Sequence, residues 1–332
     1  MRLPEFAVPV LTMFHPAFST PTYHRFLVLW LGAIMTTGRQ TITNLLRTVR
    51  HHANGHVSSY HRVFSTRRWS TWELARLLLA FLLNYVVPPG PVLLAGDDTV
   101  AERPGPHVFG KGRHRDGVRS THSYTAYRWG HKWVVLSVLV KLPFALRPWA
   151  LPVLVALYRG PEWAQVHGTR HKTPAHLARL LLARVVRWFP ERQFIFVGDT
   201  GYGTSETARF CSKYSRHLTL VSKFYGDAAL YEPPPPRTPG TMGRPRVKGQ
   251  KLASPQGVVA ATAKRTTLTV AWYGGGTRNI EIVTGTGHWY RIGEALVEVR
   301  WVYVHDCTGT HRDEYFQIPP DLVVQCQALD IV

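Results

Sequence analysis

Two short apolar runs end abruptly in carboxylates. The first is Val92-Leu93-Leu94-Ala95-Gly96-Asp97-Asp98-Thr99, the second Phe194-Ile195-Phe196-Val197-Gly198-Asp199-Thr200. Neither alternates as a half-exposed strand does, so both are expected as strands buried on both faces of a sheet. Each delivers an Asp at its C-terminal end, where open α/β sheets place their ligand sites.

Around these runs the pattern changes period. Gln40 to His52 carries Ile42, Leu45, Leu46 and Val49 at helical spacing. Ser70-Thr71-Trp72-Glu73 is a capping box that opens a helix to about Val87, which Pro88-Pro89-Gly90-Pro91 ends. A polar, basic loop is expected over Glu102 to Arg128. Trp133 to Val140 and Leu151 to Tyr158 read as a hairpin, with Pro143 and Pro148 in its connection. Thr173-Pro174 starts a helix reaching about Phe189. Its apolar side is Leu177, Leu180, Leu181, Val185 and Trp188, and His176, Arg179 and Arg187 form a basic stripe opposite. Thr204 caps the helix after Asp199, and Leu218 to Phe224 is another strand. The order β-β-β-α-β-α-β is the ribonuclease H-like arrangement, an α/β fold with a mixed sheet and flanking helices.

From Pro233 the texture shifts to a Pro/Gly-rich, extended segment. Strands are expected at Thr267 to Tyr273, Asn279 to Val283 and Leu296 to Val304, and the last strand of this region at about Trp301 to Tyr315. The domain reading is therefore a helical, DNA-binding region at 1–90, the first part of the core at 91–225, a basic linker with a β-rich insertion at 226–315, and a short tail at 316–332.

Charge narrows the function classes. Lys plus Arg number 40 against 20 Asp plus Glu, a formal net charge of +20, which favours a polyanionic partner, nucleic acid first. Pro233 to Ile280 holds eight Lys and Arg and no Asp or Glu. Lys111, Arg113 and Arg115 beside the first acidic strand, and Arg244, Arg246, Lys248 and Lys251 in the linker, are the candidate DNA contacts. The Lys111-Gly112 order is wrong for a P-loop, and Gly201-Tyr202-Gly203 lacks the third Gly of a dinucleotide site. The three cysteines are far apart and support neither a disulfide framework nor a zinc finger, which fits a reducing, cytosolic setting. The runs Phe26 to Met35 and Leu77 to Val87 are too short to span a bilayer. Pro4, Glu5 and Pro9 make a poor signal peptide, so no membrane partner is expected.

Asp97-Asp98-Thr99 after a strand, Lys111-Gly112, the Gly198-Asp199-Thr200-Gly201-Tyr202-Gly203 turn and a following β insertion together resemble the DDE transposases, nearest the IS4/IS701-like group, over roughly residues 40 to 320. The resemblance implies a ribonuclease H-like core in which two Asp and one Glu bind two Mg²⁺ ions, with Mn²⁺ as a substitute. It implies cleavage at insertion-sequence ends of double-stranded DNA and transfer of the freed 3′ end to target DNA. It further implies a homodimer on DNA and a bacterial, nucleoid-associated protein. Carried over by motif, the two Asp fall on Asp98 and Asp199. Asp97 points to the other side of its strand and is a neighbouring, weaker ligand. The family's third acid sits in a Tyr-x-x-Arg-x-x-x-Glu pattern after the insertion. Here Phe316 to Val332 holds no Glu, and Glu294, Glu298 and Glu314 are poor substitutes, so the third acid is unassigned. The expectation is a C-terminally truncated, defective copy; a non-catalytic DNA-binding protein on the same scaffold and a nuclease of another role are the alternatives.

Overall fold

Thr41, His56 and Ser70 each turn a side chain back to accept a backbone N–H in the first turn of a helix, and these caps open three helices of the N-terminal unit. The computed structural model describes residues 7–237, 240, 242–272 and 276–318, in two units, Met1–Pro88 and Pro89–Val332. The first unit holds α1 (Ala7–Thr12), α2 (Thr20–Met35), α3 (Ile42–Thr48), α4 (Val57–Ser65) and α5 (Thr71–Tyr85). Val28, Leu29, Leu45, Leu46, Tyr60 and Val63 pack one core, and Leu11, Phe18, Tyr23 and Leu27 a second. The helix expected to reach His52 stops at Thr48, where Val49 leaves helical geometry and is buried.

The second unit begins with β1 (Val92–Glu102), β2 (Gly112–Arg115), β3 (Tyr127–Val140) and β4 (Trp149–Tyr158). There follow α6 (Pro161–Val166), α7 (Pro174–Trp188), β5 (Phe194–Gly198), α8 (Ser205–Lys213), β6 (Leu218–Lys223) and β7 (Leu230–Tyr231). The last elements are α9 (Pro255–Ala261), β8 (Thr266–Ala271), β9 (Thr277–Trp289), β10 (Val297–Asp306) and β11 (Glu314–Ile318). β1 pairs antiparallel with β3, β3 antiparallel with β4, and β5 and β6 lie parallel to β1 in turn. The order β4-β3-β1-β5-β6 is thus a meander followed by two crossover strands, the ribonuclease H-like arrangement expected from segment order. α7 packs on β3 and β4, α8 packs on β6, the two helices touch each other, and the core lies on Val92, Leu94, Leu136, Phe194 and Phe196.

Several expectations change. The loop over 102–128 contains a strand, because β1 runs on through its acids to Glu102 against β3, and β3 also takes up β2. Ladder hydrogen bonds hold a sequence as polar as Gly112-Arg113-His114-Arg115, which side-chain pattern does not mark. The strand placed at Trp301 to Tyr315 is a hairpin, β10 and β11, turned on buried Asp306, which accepts the N–H groups of Thr308, Thr310 and His311 and pairs with Arg278 at 2.8 Å. β11 in turn pairs with β6, so β7 to β11 continue the core sheet. β8 ends at Ala271; Tyr273 and the tail from residue 319 lie outside the described residues. No helix among the described residues is long and apolar enough to cross a membrane.

Candidate active site

Alternation along β1 decides which acid faces inward. Val92, Leu94 and Gly96 are buried, and Asp98 continues their side of the strand, while Asp97 is exposed on the other. Asp97 accepts the N–H of Asp98 at 2.7 Å. Gly96 of β1 lies in parallel register with Gly198 of β5, so the pairing of the two strands ends just before their acids, although β1 itself runs on against β3. Asp199 opens the turn after β5: its carboxylate accepts the N–H of Gly201 at 2.9 Å, and its carbonyl accepts those of Tyr202 and Gly203. Thr204 then caps α8.

The two glycines make room for aromatic rings. A Cβ on Gly96 would meet the Phe196 ring at 2.5 Å, and one on Gly198 would meet the Tyr202 Cβ at 2.7 Å. Phe196 and Tyr202 pack edge to face with centroids 6.3 Å apart. Tyr202 is only 2% exposed, and its hydroxyl has no hydrogen-bond partner. Burial first, then the charges of Asp98, Asp97 and Asp199, push its ionisation far above the ordinary phenol range.

Asp98 is met by Lys132 of β3, Nζ to Oδ2 2.9 Å. Lys132 also lies over the Tyr158 ring, 5.8 Å from its centroid. Burial first, and then the Lys132 charge, hold buried His114 below the usual imidazole range. Burial, Asp98 and Glu162 raise Tyr158. Lys132, His114, Tyr158 and Glu162 line a cavity of about 560 Å³ together with Lys111, Arg113 and Arg115; Asp98 and Asp199 are not among its lining residues.

Hard oxygen donors are the chemistry of a divalent-cation site, and the Lys132 ammonium neutralises one of the Asp98 oxygens. Among the described residues no three His, Cys, Asp or Glu side chains converge tightly enough to cage a metal ion. Mg²⁺ does not require that: it is held by one or two carboxylates, with water and substrate phosphate completing the shell. Asp98 and Asp199 fit that donor set, with Asp97 adjacent.

The candidate DNA contacts divide. Arg113 and Arg115 are exposed on β2, Arg113 stacking on Tyr127 at 4.0 Å, whereas Lys111 donates to the carbonyl of Gly105 at 2.9 Å. Arg244, Arg246 and Lys251 are exposed, and Lys248 lies between the Tyr231 and Tyr290 rings at 3.9 and 4.5 Å; none of the four lines the cavity. Two basic features are neutralised internally. Arg128 pairs with buried Asp116 at 2.5 Å, and Arg179 pairs with Glu206 of α8 at 2.5 Å. The stripe expected on α7 therefore turns Arg179 inward, while Leu180 is exposed and Leu182 buried. Of the substitute acids, Glu294 accepts from Ser205 at 2.7 Å and pairs with Arg209, Glu314 pairs with Lys223, and Glu298 is exposed on β10.

The family described as DDE superfamily endonuclease matches residues 13–279. The chain belongs to the DDE superfamily endonucleases. A nuclease-type enzyme is the functional class that this membership supports; it does not separate the IS4/IS701-like group from others. No curated protein matches this DDE-family chain in sequence. Among solved structures it is similar to a piggyBac transposase in a synaptic complex with hairpin DNA, at 10% identity and a TM-score of 0.35, over 90% of this chain and 51% of that one. The chain spans about half the length of that transposase.

Sequence reasoning missed Lys132, Tyr158, Glu162 and Tyr202 in this DDE-family site. Lys132 had a signal: it stands at the head of Val134, Leu136 and Val138 on one face of β3, a lone charge on an apolar alternation.

Proposed function

We propose that the chain is a transposase of the IS4/IS701-like kind, in which Asp98 and Asp199 hold Mg²⁺, or Mn²⁺, for strand cleavage and strand transfer on double-stranded DNA at insertion-sequence ends. The observation that carries the reading is the parallel register of β1 and β5, Gly96 against Gly198, from which each chain continues directly into its acid. When bound, the divalent cation polarises a phosphoryl oxygen and offsets the charge that develops in an in-line displacement. Asp98 and Asp199 orient that cation, and Lys111, Arg113 and Arg115, all at the cavity, offset phosphate charge. Arg244, Arg246, Lys248 and Lys251 extend the DNA contact, and a homodimer spans two ends. The setting is the bacterial cytoplasm, at the nucleoid.

A second reading is a non-catalytic DNA-binding protein on the same scaffold. It is favoured by the engagement of Glu294 with Arg209 and of Glu314 with Lys223, ion pairs that occupy two of the acids considered as the third ligand. The deciding experiment is Mg²⁺- or Mn²⁺-dependent nicking of a labelled duplex carrying the terminal repeats. Nicking lost in both Asp98→Ala and Asp199→Ala supports the first reading. DNA binding without nicking supports the second, and nicking retained in both variants refutes the site assignment.

A further inference from the structure

The Tyr202 hydroxyl contributes nothing to the packing around it. The ring alone fills the space beside Gly198 and meets Phe196 edge on, and a Phe would do both. The oxygen is nevertheless buried with no hydrogen-bond partner, a cost the fold has no need to carry. A phenol O–H in that position is a donor waiting for an acceptor.

Geometry says which acceptor. Gly96 and Gly198 are in register, and the Phe196 ring lies within contact distance of a Cβ on either, so both glycines direct that bond to the same side of the sheet. Tyr202 stands on that side, against Gly198. Asp98, two residues beyond Gly96, faces the same way by strand alternation.

We propose that Tyr202 is a positioning residue of the cation site: its hydroxyl donates to the Asp98 carboxylate when a divalent cation occupies the site, and so fixes the orientation in which Asp98 binds. This rests on the reading of Asp98 and Asp199 as cation ligands. Asp98 takes the Lys132 ammonium at Oδ2, so a donor to its other oxygen would orient the carboxylate without displacing that pair. A neutral donor suits the task, because it orients a carboxylate without competing with the cation for charge.

The test is Mn²⁺ titration of the full chain, with free Mn²⁺ read by electron paramagnetic resonance, on wild type, Asp98→Ala, Asp199→Ala and Tyr202→Phe. Thermal melting of each cation-free protein runs alongside. The expected result is loss of binding in both Asp variants and about tenfold weaker binding or more in Tyr202→Phe. The melting temperature of cation-free Tyr202→Phe should equal or exceed that of wild type, since only an unpartnered hydroxyl is removed. Binding lost in the Asp variants but unchanged in Tyr202→Phe overturns the inference and leaves the site assignment standing. Binding unchanged in the Asp variants overturns both.

Discussion

Gly96→Ala adds one methyl group at the point where β1, Phe196 and the acidic strand end meet. The new Cβ would lie 2.5 and 2.6 Å from two carbons of the Phe196 ring. Carbon atoms pack best at about 3.5–4.0 Å, so the overlap is on the order of 1 Å. Phe196 is 0% exposed and cannot swing into solvent. Overpacking of this kind costs about 1–3 kcal/mol. For a domain of about 150–250 residues that lowers the melting temperature by about 2–4 °C per kcal/mol. The assay is urea or thermal unfolding of wild type, Gly96→Ala, Phe196→Leu and the double variant. Phe196→Leu alone should destabilise by leaving a cavity, at less than the ~3–5 kcal/mol of a Phe→Ala change. The smaller side chain removes the clash, so the double variant should be more stable than the sum of the single effects predicts, by about 1 kcal/mol or more. Strictly additive effects, or a Gly96→Ala protein as stable as wild type, would refute the argument that the glycine exists to admit the ring.

Asp116→Ala removes the carboxylate that pairs with Arg128 and accepts the N–H groups of Val118 and Arg119, and with the Asp116 side chain only 8% exposed the loss should be about 3–5 kcal/mol by urea unfolding. Asp313 is held below the usual carboxylate range by hydrogen bonds from Tyr303 and His305. Its contribution to stability is therefore complete above the unfolded value of about 4 and lost as pH falls through the lower folded value, so Asp313→Asn should flatten the acid side of a stability-versus-pH curve in that window. Arg244→Ala and Arg246→Ala should each weaken duplex binding evenly across sequences and lower the slope of log affinity against log salt by about 1; unchanged slopes would remove the linker from the DNA surface.

What the residues revealed in advance was local. The buried strands, the caps at Ser70, Thr173 and Thr204, and the opposite orientations of Asp97 and Asp98 all follow from spacing a few residues long, and each is present. What spacing could not reveal depends on distant partners. β2 exists because β3 offers it a ladder, β11 joins β6 across some ninety residues of chain, and Arg179 turns inward because Glu206 meets it from another helix. In the site the same division holds. The acids were legible at the ends of their strands, but the ammonium of Lys132 and the phenol of Tyr202 take their meaning from neighbours that only the fold supplies.

Carboxylates in this protein come in two conditions, and the difference separates scaffold from site. Asp116 and Asp306, the most deeply buried, are charge-compensated: each has a guanidinium partner and two or more backbone N–H donors. Asp97 and Asp199 each accept one backbone N–H from the residues beside them, and Asp98 takes a single ammonium. Asp97 and Asp199 are exposed and Asp98 is half-buried, so solvent or a bound cation can supply the donors that the protein does not. The scaffold shows that the chain can neutralise acids elsewhere. Leaving these three short of donors, at the meeting point of its two most apolar strands and beside a buried phenol without a partner, is the arrangement expected where a cation is to be received.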